Sequence, residues 1–576
     1  MLSPFAVPMR VLAATSAVLL LLAPSAGAQP ALRTSGGVLP TEQAAYDVGY
    51  YSLDLAIQPA DSTIEGTLTV EARIVAPTDA VLFDLDDALT VRAVEEIAEV
   101  RAAGESEWRE QALARAFERG PGTVRVALGS TAQPGQLLRL RFSYGGRPRI
   151  APRPPWDGGF SWARTADGQP WVAVSCQIQG ADLWWPTKDH PSDEPDSVRI
   201  ALTVPAGLRA VSNGRHEGRT DNGDGTATER WLVTTPINNY GVSFGVGPYE
   251  VVEAPYQSPA GYATPVRVFV LPEHEADARR QLPGFLDALA FLERTFGPYA
   301  WRADGYKVLH TPYLGMEHQS LVAYGSDWRD NDYGFDWLHF HELAHEWWAN
   351  LATAPDWRDF WVHESFASYA EALYAEDIAR RDGGDAERAY LDYMGRSKGA
   401  FRNVIPVAPA DPRSTQEMYA LPDGRSNGDI YSKGAWALHS VRSLMDDDEA
   451  FFGALRAIPY PDPVLETITD GRQARFVGYA DVVRAFSRAA RRDLAPVFEA
   501  YLRHAQPPTL VREPDGHLRW ALPDGLDASG FAVPVEIGTG GVVTRIAMPG
   551  GRSAQPVAAD AVLDPRGRLL FETEAP

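Results

Sequence analysis

The sequence predicts a multidomain α+β protein with an N-terminal antiparallel β domain, a helical domain and a small C-terminal β-sandwich. Three observations carry this reading. Apolar and polar residues alternate in short runs from Tyr46 to about Glu253. The spacing turns helical after Pro272, and short strands with Gly and Pro turns return beyond Pro507-Pro508. A chain of 576 residues exceeds what one core supports, so about two to four domains are expected. The boundaries read as 1–28 for a leader, 29–255 for the β domain, 256–507 for the helical domain and 508–576 for the last β domain.

In the leader, Arg10 precedes an apolar run from Val11 to Ala23, and Ala26-Gly27-Ala28 is a small-x-small cleavage site. The run is shorter than the roughly 20 residues that span a bilayer, and no later stretch is long enough. An exported product without stable membrane insertion is expected, periplasmic or extracellular. Cys176 is the sole cysteine, so no intrachain disulfide can form, and it reads as a small buried hydrophobe.

The β domain follows from the alternation in Tyr51–Ile57, Thr67–Val75, Leu137–Phe142 and Val198–Val204. Antiparallel sheets with one wet face fit it. In the helical domain, Leu282, Phe285, Leu286, Leu289 and Phe296 recur at helical spacing, with Pro283 bending or starting the helix. Helices are expected to dominate from there to about Leu502.

Within that region stands the most informative run, His341-Glu342-Leu343-Ala344-His345, followed after eighteen residues by Glu364. Histidines four apart share one face of a helix, so both imidazoles can reach one ion. Glu342 lies about 100° around the helix, close to that ion without ligating it. Glu364 supplies a third ligand. Two neutral imidazoles and one carboxylate leave a fourth position open, which is the composition of a catalytic rather than a structural zinc site. Asp336 is placed to cap this helix, and Trp337, Phe340, Leu343, Ala344, Trp347 and Trp348 give it a broad apolar surface. The stretch from Phe360 to Glu371 is also apolar and helical. Histidines and glutamates buried there are costly unless paired or metal-bound. One Zn2+ per chain is therefore expected.

The bulk composition narrows the classes. The chain is 45% hydrophobic and 22% charged, with a net charge of −23 and no basic runs, which argues against nucleic acid and anionic membranes as partners. Lysine occurs only at 188, 307, 398 and 433. The arginine bias points to a GC-rich, bacterial genome. Trp184, Trp185, Trp347, Trp348, Trp357 and Trp361 read as core packing.

Three further segments complete the pattern: Gly315-Met316-Glu317-His318 before the zinc run, Tyr431-Ser432-Lys433-Gly434 after it, and Gln177-Ile178-Gln179-Gly180 in the β domain. Together with the zinc run and its spacing, they resemble the gluzincin aminopeptidases, the family of aminopeptidase N and leukotriene hydrolase. The resemblance implies a thermolysin-like catalytic domain and a zinc aminopeptidase acting on peptides with a free amino terminus. It implies His341, His345 and Glu364 as zinc ligands, Glu342 as general base and Tyr431 as hydrogen-bond donor to the oxyanion. It further implies Glu317 as the anchor of the α-ammonium, Gln177 and Gln179 as supports of the first residue, and Gly315 as a backbone contact. Glu371, seven residues after Glu364, is placed to orient a ligand histidine.

The sequence departs from the family pattern in four places. Leu314 and His318 stand where Gly and Asn are usual, and His318 is expected to alter the shape or pH response of the first substrate pocket. Ser365 replaces a usual Gly, read as a neutral packing change, and Gln179 stands where many members have Glu. The alternatives are a zinc endopeptidase on the same core and a non-catalytic peptide-binding protein on a peptidase scaffold. Oligomeric state is not legible.

Overall fold

The computed structural model describes residues 34–100, 109–523 and 526–573. The leader expected over 1–28 lies outside them. Counted over the described residues, the N-terminal region forms an eight-stranded sheet. In spatial order its strands are Arg215–Asp221, Thr226–Val233, Ser197–Pro205, Tyr46–Gln58, Thr63–Ile74, Leu137–Gly146, Leu89–Val100 and Arg109–Ala114. All four expected runs lie in it. Tyr51, Leu53, Leu55 and Ile57 point into the core, and the residues between them do not. One pairing departs from the antiparallel expectation: Tyr46–Gln58 and Ser197–Pro205 run parallel. A parallel pair needs a long crossover, and here the crossover, residues 59–196, carries most of the other strands of the domain. A four-stranded and a three-stranded sheet complete it. Cys176, Trp184 and Trp185 are fully buried between these sheets.

The next layer is a mixed five-stranded sheet ordered Glu250–Gln257, Ala263–Val270, Tyr306–His310, Leu321–Tyr324 and Gly315–Met316. Helices are expected to dominate between Pro272 and the zinc run, and three of these strands, Tyr306–His310, Gly315–Met316 and Leu321–Tyr324, interrupt them there. Tyr306–His310 and Leu321–Tyr324 are wholly buried, so they show no alternation from which a strand could be read. The sheet faces two cores. Leu309, Met316, Leu321 and Ala323 pack into the N-terminal core, and Val308, Val322 and Tyr324 pack into the helical one.

Five helices matter for the site: α1 (Glu275–Phe296), α2 (Trp337–Ala344), α3 (Trp361–Arg381), α4 (Ala386–Gly395) and α5 (Ser432–Met445). Pro283 sits inside α1 on its exposed face and does not start it. The Asp336 side chain caps α2 by accepting from the His339 backbone N–H at 3.1 Å. α2 ends at Ala344, so Trp347 and Trp348 follow in turns rather than on the expected longer helix, yet both are buried. After the α-helix Ala495–Leu502, the described residues form two three-stranded sheets. Trp520 of these sheets, with Phe531 and Val533 of the connecting segment, shares one core with Tyr501 and Leu502 of the helical region. A segment this small gains stability by packing on a larger neighbour.

Candidate active site

α2 and α3 meet so that His341, His345 and Glu364 converge. His345 is the residue just past α2 and keeps helical backbone angles, so it stays on the His341 face. The two Nε2 atoms lie 3.3 Å apart, and Glu364 Oε2 lies 3.5 Å from His341 Nε2 and 3.4 Å from His345 Nε2. The second ring nitrogens fix the tautomers. His341 Nδ1 donates to Glu371 Oε1 at 2.7 Å, and His345 Nδ1 donates to the Trp348 carbonyl at 3.0 Å. Both Nε2 lone pairs therefore face inward, toward each other and toward a carboxylate oxygen that is buried without a hydrogen bond. That arrangement is repulsive unless a cation sits among the three. A tetrahedral ion with bonds of about 2.0–2.1 Å holds its ligands about 3.3–3.4 Å apart, which the three distances match. The titration behaviour agrees. Burial works to raise the Glu364 carboxyl, but the facing imidazoles hold it well below the ordinary range. Burial opposes a charge on His341 and His345, yet the surrounding carboxylates pull both upward. The pocket calls for positive charge.

Glu371 also accepts from Trp337 Nε1 at 3.1 Å and from the Tyr393 hydroxyl. Trp337, expected on the buried face of α2, is instead 42% exposed and lines the cleft. His363 turns away from the triangle, and its Nε2 accepts from the Ala354 backbone N–H at 2.9 Å.

Glu342 is buried beside the triangle, against the edge strand Gly315–Met316. A Cβ on Gly315 would come within 2.5 Å of Glu342 Oε1 and 2.6 Å of Leu338 Cδ1, so a larger residue there would displace the Glu342 carboxylate. Burial pushes the Glu342 carboxyl up to about 8, against the pull of His341.

Glu317 comes from the loop after that edge strand. Gln177 Nε2 donates to Glu317 Oε1, as does the Tyr240 hydroxyl at 3.1 Å, and Asn350 Nδ2 donates to the Glu317 carbonyl at 3.1 Å. Glu317, Glu342 and His345 each place an atom able to ligate within 4.8 Å of the others. Two carboxylates that close favour a cation between them.

Gln179 is placed apart. Its Oε1 accepts from the Gly158 backbone N–H at 2.8 Å, and its Nε2 donates to Asp157 at 3.1 Å. Residues 177–179 form a turn rather than a strand, so the two glutamines do not share a face. The expectation for His318 is also corrected. It is fully buried away from the cleft, and burial pushes its pKa down to about 3, so it does not titrate near neutrality. Ser365 is not a neutral replacement: its hydroxyl donates to the Ile430 carbonyl at 2.5 Å, tying the Glu364 turn to the residue before Tyr431.

Tyr431 lines the cleft, its ring 6.3 Å from that of His341. Its hydroxyl is hydrogen-bonded to the Tyr419 hydroxyl. The whole cleft measures about 650 Å³ and runs from Gln177 and Glu317 past the triangle to Ser368, Tyr393 and Arg396. Sequence reasoning missed Tyr240, Tyr419, Tyr393 and Asn350. Tyr240 and Tyr419 carry no spacing that could reveal them. Trp337, one helical turn before His341, could have been found.

The chain matches the Peptidase M1 N-terminal domain over residues 48–240 and the Peptidase family M1 domain over residues 331–459, together more than half its length. It belongs to peptidase family M1. Among its family M1 relatives, it is 26% identical over 308 residues to aminopeptidase N of Haemonchus contortus, covering 50% of this chain and 30% of that one. It is 29% identical over 305 residues to leucine aminopeptidase 2 of Vanderwaltozyma polyspora, covering 50% and 42%. It is 26% identical over 323 residues to aminopeptidase N of Streptomyces lividans, covering 52% and 35%. The matched stretch spans less than half of each relative. The M1 zinc metallopeptidase of Deinococcus radiodurans superposes with a TM-score of 0.61 at 23% identity, covering 81% of this chain and 95% of that one. Its E323A mutant bound to a Tyr-Ser-Ala substrate gives 0.60, also at 23% identity, over 81% and 95%. These superpositions show the shared fold: β domain, helical catalytic region and C-terminal β elements.

Proposed function

We propose that the protein is a zinc-dependent aminopeptidase that removes the first residue of peptides with a free amino terminus. One observation carries this reading: a buried carboxylate, Glu317, lies within 4.8 Å of a ligand histidine and of Glu342. In an amino-terminal residue the α-nitrogen is only about 2.5 Å from its own carbonyl carbon, given bonds of about 1.5 Å. An ammonium held at Glu317 therefore presents the first peptide bond, and no later one, to the triangle. A mid-chain peptide would leave Glu317 buried without a countercharge.

His341, His345 and Glu364 would hold the zinc. Bound there, it supplies Lewis acidity that polarises the carbonyl and makes water a nucleophile at neutral pH. Glu342 accepts the proton of the attacking water and passes it to the departing amine. Tyr431 donates to the carbonyl oxygen as negative charge grows on it. Glu317, held by Gln177 and Tyr240, binds the ammonium, and the Gly315–Met316 backbone lies alongside the peptide. Glu371 fixes the His341 tautomer through Nδ1. Gln179 supports the first residue indirectly, by bracing the 157–158 loop beside Trp156 of the cleft wall.

Export rests on Arg10, the apolar run and the Ala26-Gly27-Ala28 site. No helix among the described residues is long and apolar enough to cross a membrane. We keep the division at 29–255, 256–507 and 508–576, with the change of sheet falling just before Glu250.

The test is hydrolysis of single-residue amides and short peptides by the zinc-loaded protein, each with a free and an acetylated amino terminus. Free-amine substrates should be cleaved at the first bond and acetylated ones should resist. Equal cleavage of both would make the protein an endopeptidase. No cleavage of either would make it a binding protein.

A further inference from the structure

We propose that Tyr419 is a positioning residue for Tyr431. Its hydroxyl donates to the Tyr431 hydroxyl, which leaves the Tyr431 proton for the reacting carbonyl oxygen. This deepens the aminopeptidase reading and rests on it.

The two phenols are twelve residues apart, line the same cleft and are hydrogen-bonded to each other. Their rings meet edge to face, 6.4 Å apart at 85°. Tyr419 is fixed on three sides. Its ring packs on Phe360, which precedes α3 and hence the turn carrying Glu364. Its carbonyl accepts from the Asn427 backbone N–H at 2.7 Å, and Asn427 Nδ2 donates to the Met418 carbonyl at 2.8 Å. Asn427 Oδ1 also accepts from the Asp429 N–H at 3.3 Å, capping the turn that leads into Tyr431. Asn427 thus clamps both tyrosines, and residues 422–426 between them are exposed.

The short helix Thr415–Tyr419 is locked by a Ser414–Glu417 capping box. At its start the Thr415 hydroxyl donates to the Ile178 carbonyl, and the Thr415 N–H donates to the Ser35 carbonyl at 3.0 Å. Ile178 follows Gln177, which holds Glu317. The Tyr419 hydroxyl is therefore fixed in the same frame as the ammonium site, independently of α5, which follows Tyr431.

The direction of the bond follows from proton counting. Either phenol could donate in the bond between them. A phenol has one proton, and a carbonyl oxygen only accepts. When Tyr431 gives its proton to the substrate carbonyl, the phenol–phenol bond can use only the Tyr419 proton. A hydroxyl that accepts a hydrogen bond donates a stronger one.

The experiment measures kcat and KM of a single-residue amide for the full-length, zinc-loaded parent, Tyr419→Phe, Tyr431→Phe and the double variant. Tyr419→Phe keeps the ring that packs on Phe360, and zinc content and Tm matching the parent confirm that only a hydroxyl is lost. The expected result is a fall in kcat of about tenfold with KM within about twofold. In the Tyr431→Phe background the same change should move kcat by less than about twofold, because its route is gone. An unchanged or raised kcat in Tyr419→Phe overturns the proposal, as does an equal fall in both backgrounds. An active parent with an unaffected Tyr419→Phe leaves the aminopeptidase reading standing, whereas an inactive zinc-loaded parent overturns both.

Discussion

Along one wall of the cleft, His341, His345 and Glu364 come from successive helices whose own geometry sets the ligand spacing. At the amine end, Glu317 is held by Gln177, 140 residues away, and by Tyr240, 77 residues away. The first arrangement is local and lies in the helical core. The second is assembled at the seam where the N-terminal core meets the five-stranded sheet. The difference teaches that metal binding and amine recognition are separable. The metal half depends on helix packing, and the amine half depends on how the β domain docks.

The largest effect tests the metal half. Glu342→Gln should lower kcat by about 10²- to 10⁴-fold while zinc content stays at the parent level. Loss of zinc in that variant would show that Glu342 is structural. Tyr431→Phe should cost about 10²- to 10³-fold in kcat, with KM little changed. At the amine end, Glu317→Gln should lower kcat/KM for free-amine substrates by about 100-fold, since a charge-assisted contact is lost. The gap between free and acetylated substrates should then shrink, with zinc unaffected. If Glu317→Gln also released zinc, the two halves would not be separable. Glu371→Gln works behind the ligands. It should weaken zinc binding by about 10- to 100-fold, with activity returning in excess zinc; activity lost irrespective of zinc would assign Glu371 a different role.

The smallest effect concerns His318. The fold keeps it neutral down to about pH 3, while the unfolded chain takes the proton near 6.5. The unfolded state binds the extra proton, so stability is fully present above about pH 6.5 and falls as pH drops below it. The slope is at most about 1.4 kcal/mol per pH unit. His318→Asn should flatten the acid limb of Tm against pH and leave the pH dependence of kcat unchanged. A displaced kcat profile would place His318 in the mechanism.

The same division explains what the sequence revealed. The ligand run was legible because 3.6-residue periodicity turns spacing into geometry. Glu371 was legible for the same reason, two turns beyond Glu364. The long alternating strands such as Tyr46–Gln58 were legible because one face is wet. Tyr306–His310 and Leu321–Tyr324 were hidden because both of their faces are buried. Gln177 and Gln179 looked equivalent, and only the turn that contains them separates their roles. Tyr240 and Tyr419 reach the site through tertiary packing alone. Ser365 read as neutral because its acceptor, the Ile430 carbonyl, lies 65 residues away.

The most direct test of the central claim is elemental analysis of the purified protein alongside activity. The account predicts one zinc per chain, parallel loss of metal and amide hydrolysis on chelation, and recovery of both with one equivalent of zinc. A folded protein that takes up no metal, or hydrolysis that persists at full rate after the metal is removed, would contradict it.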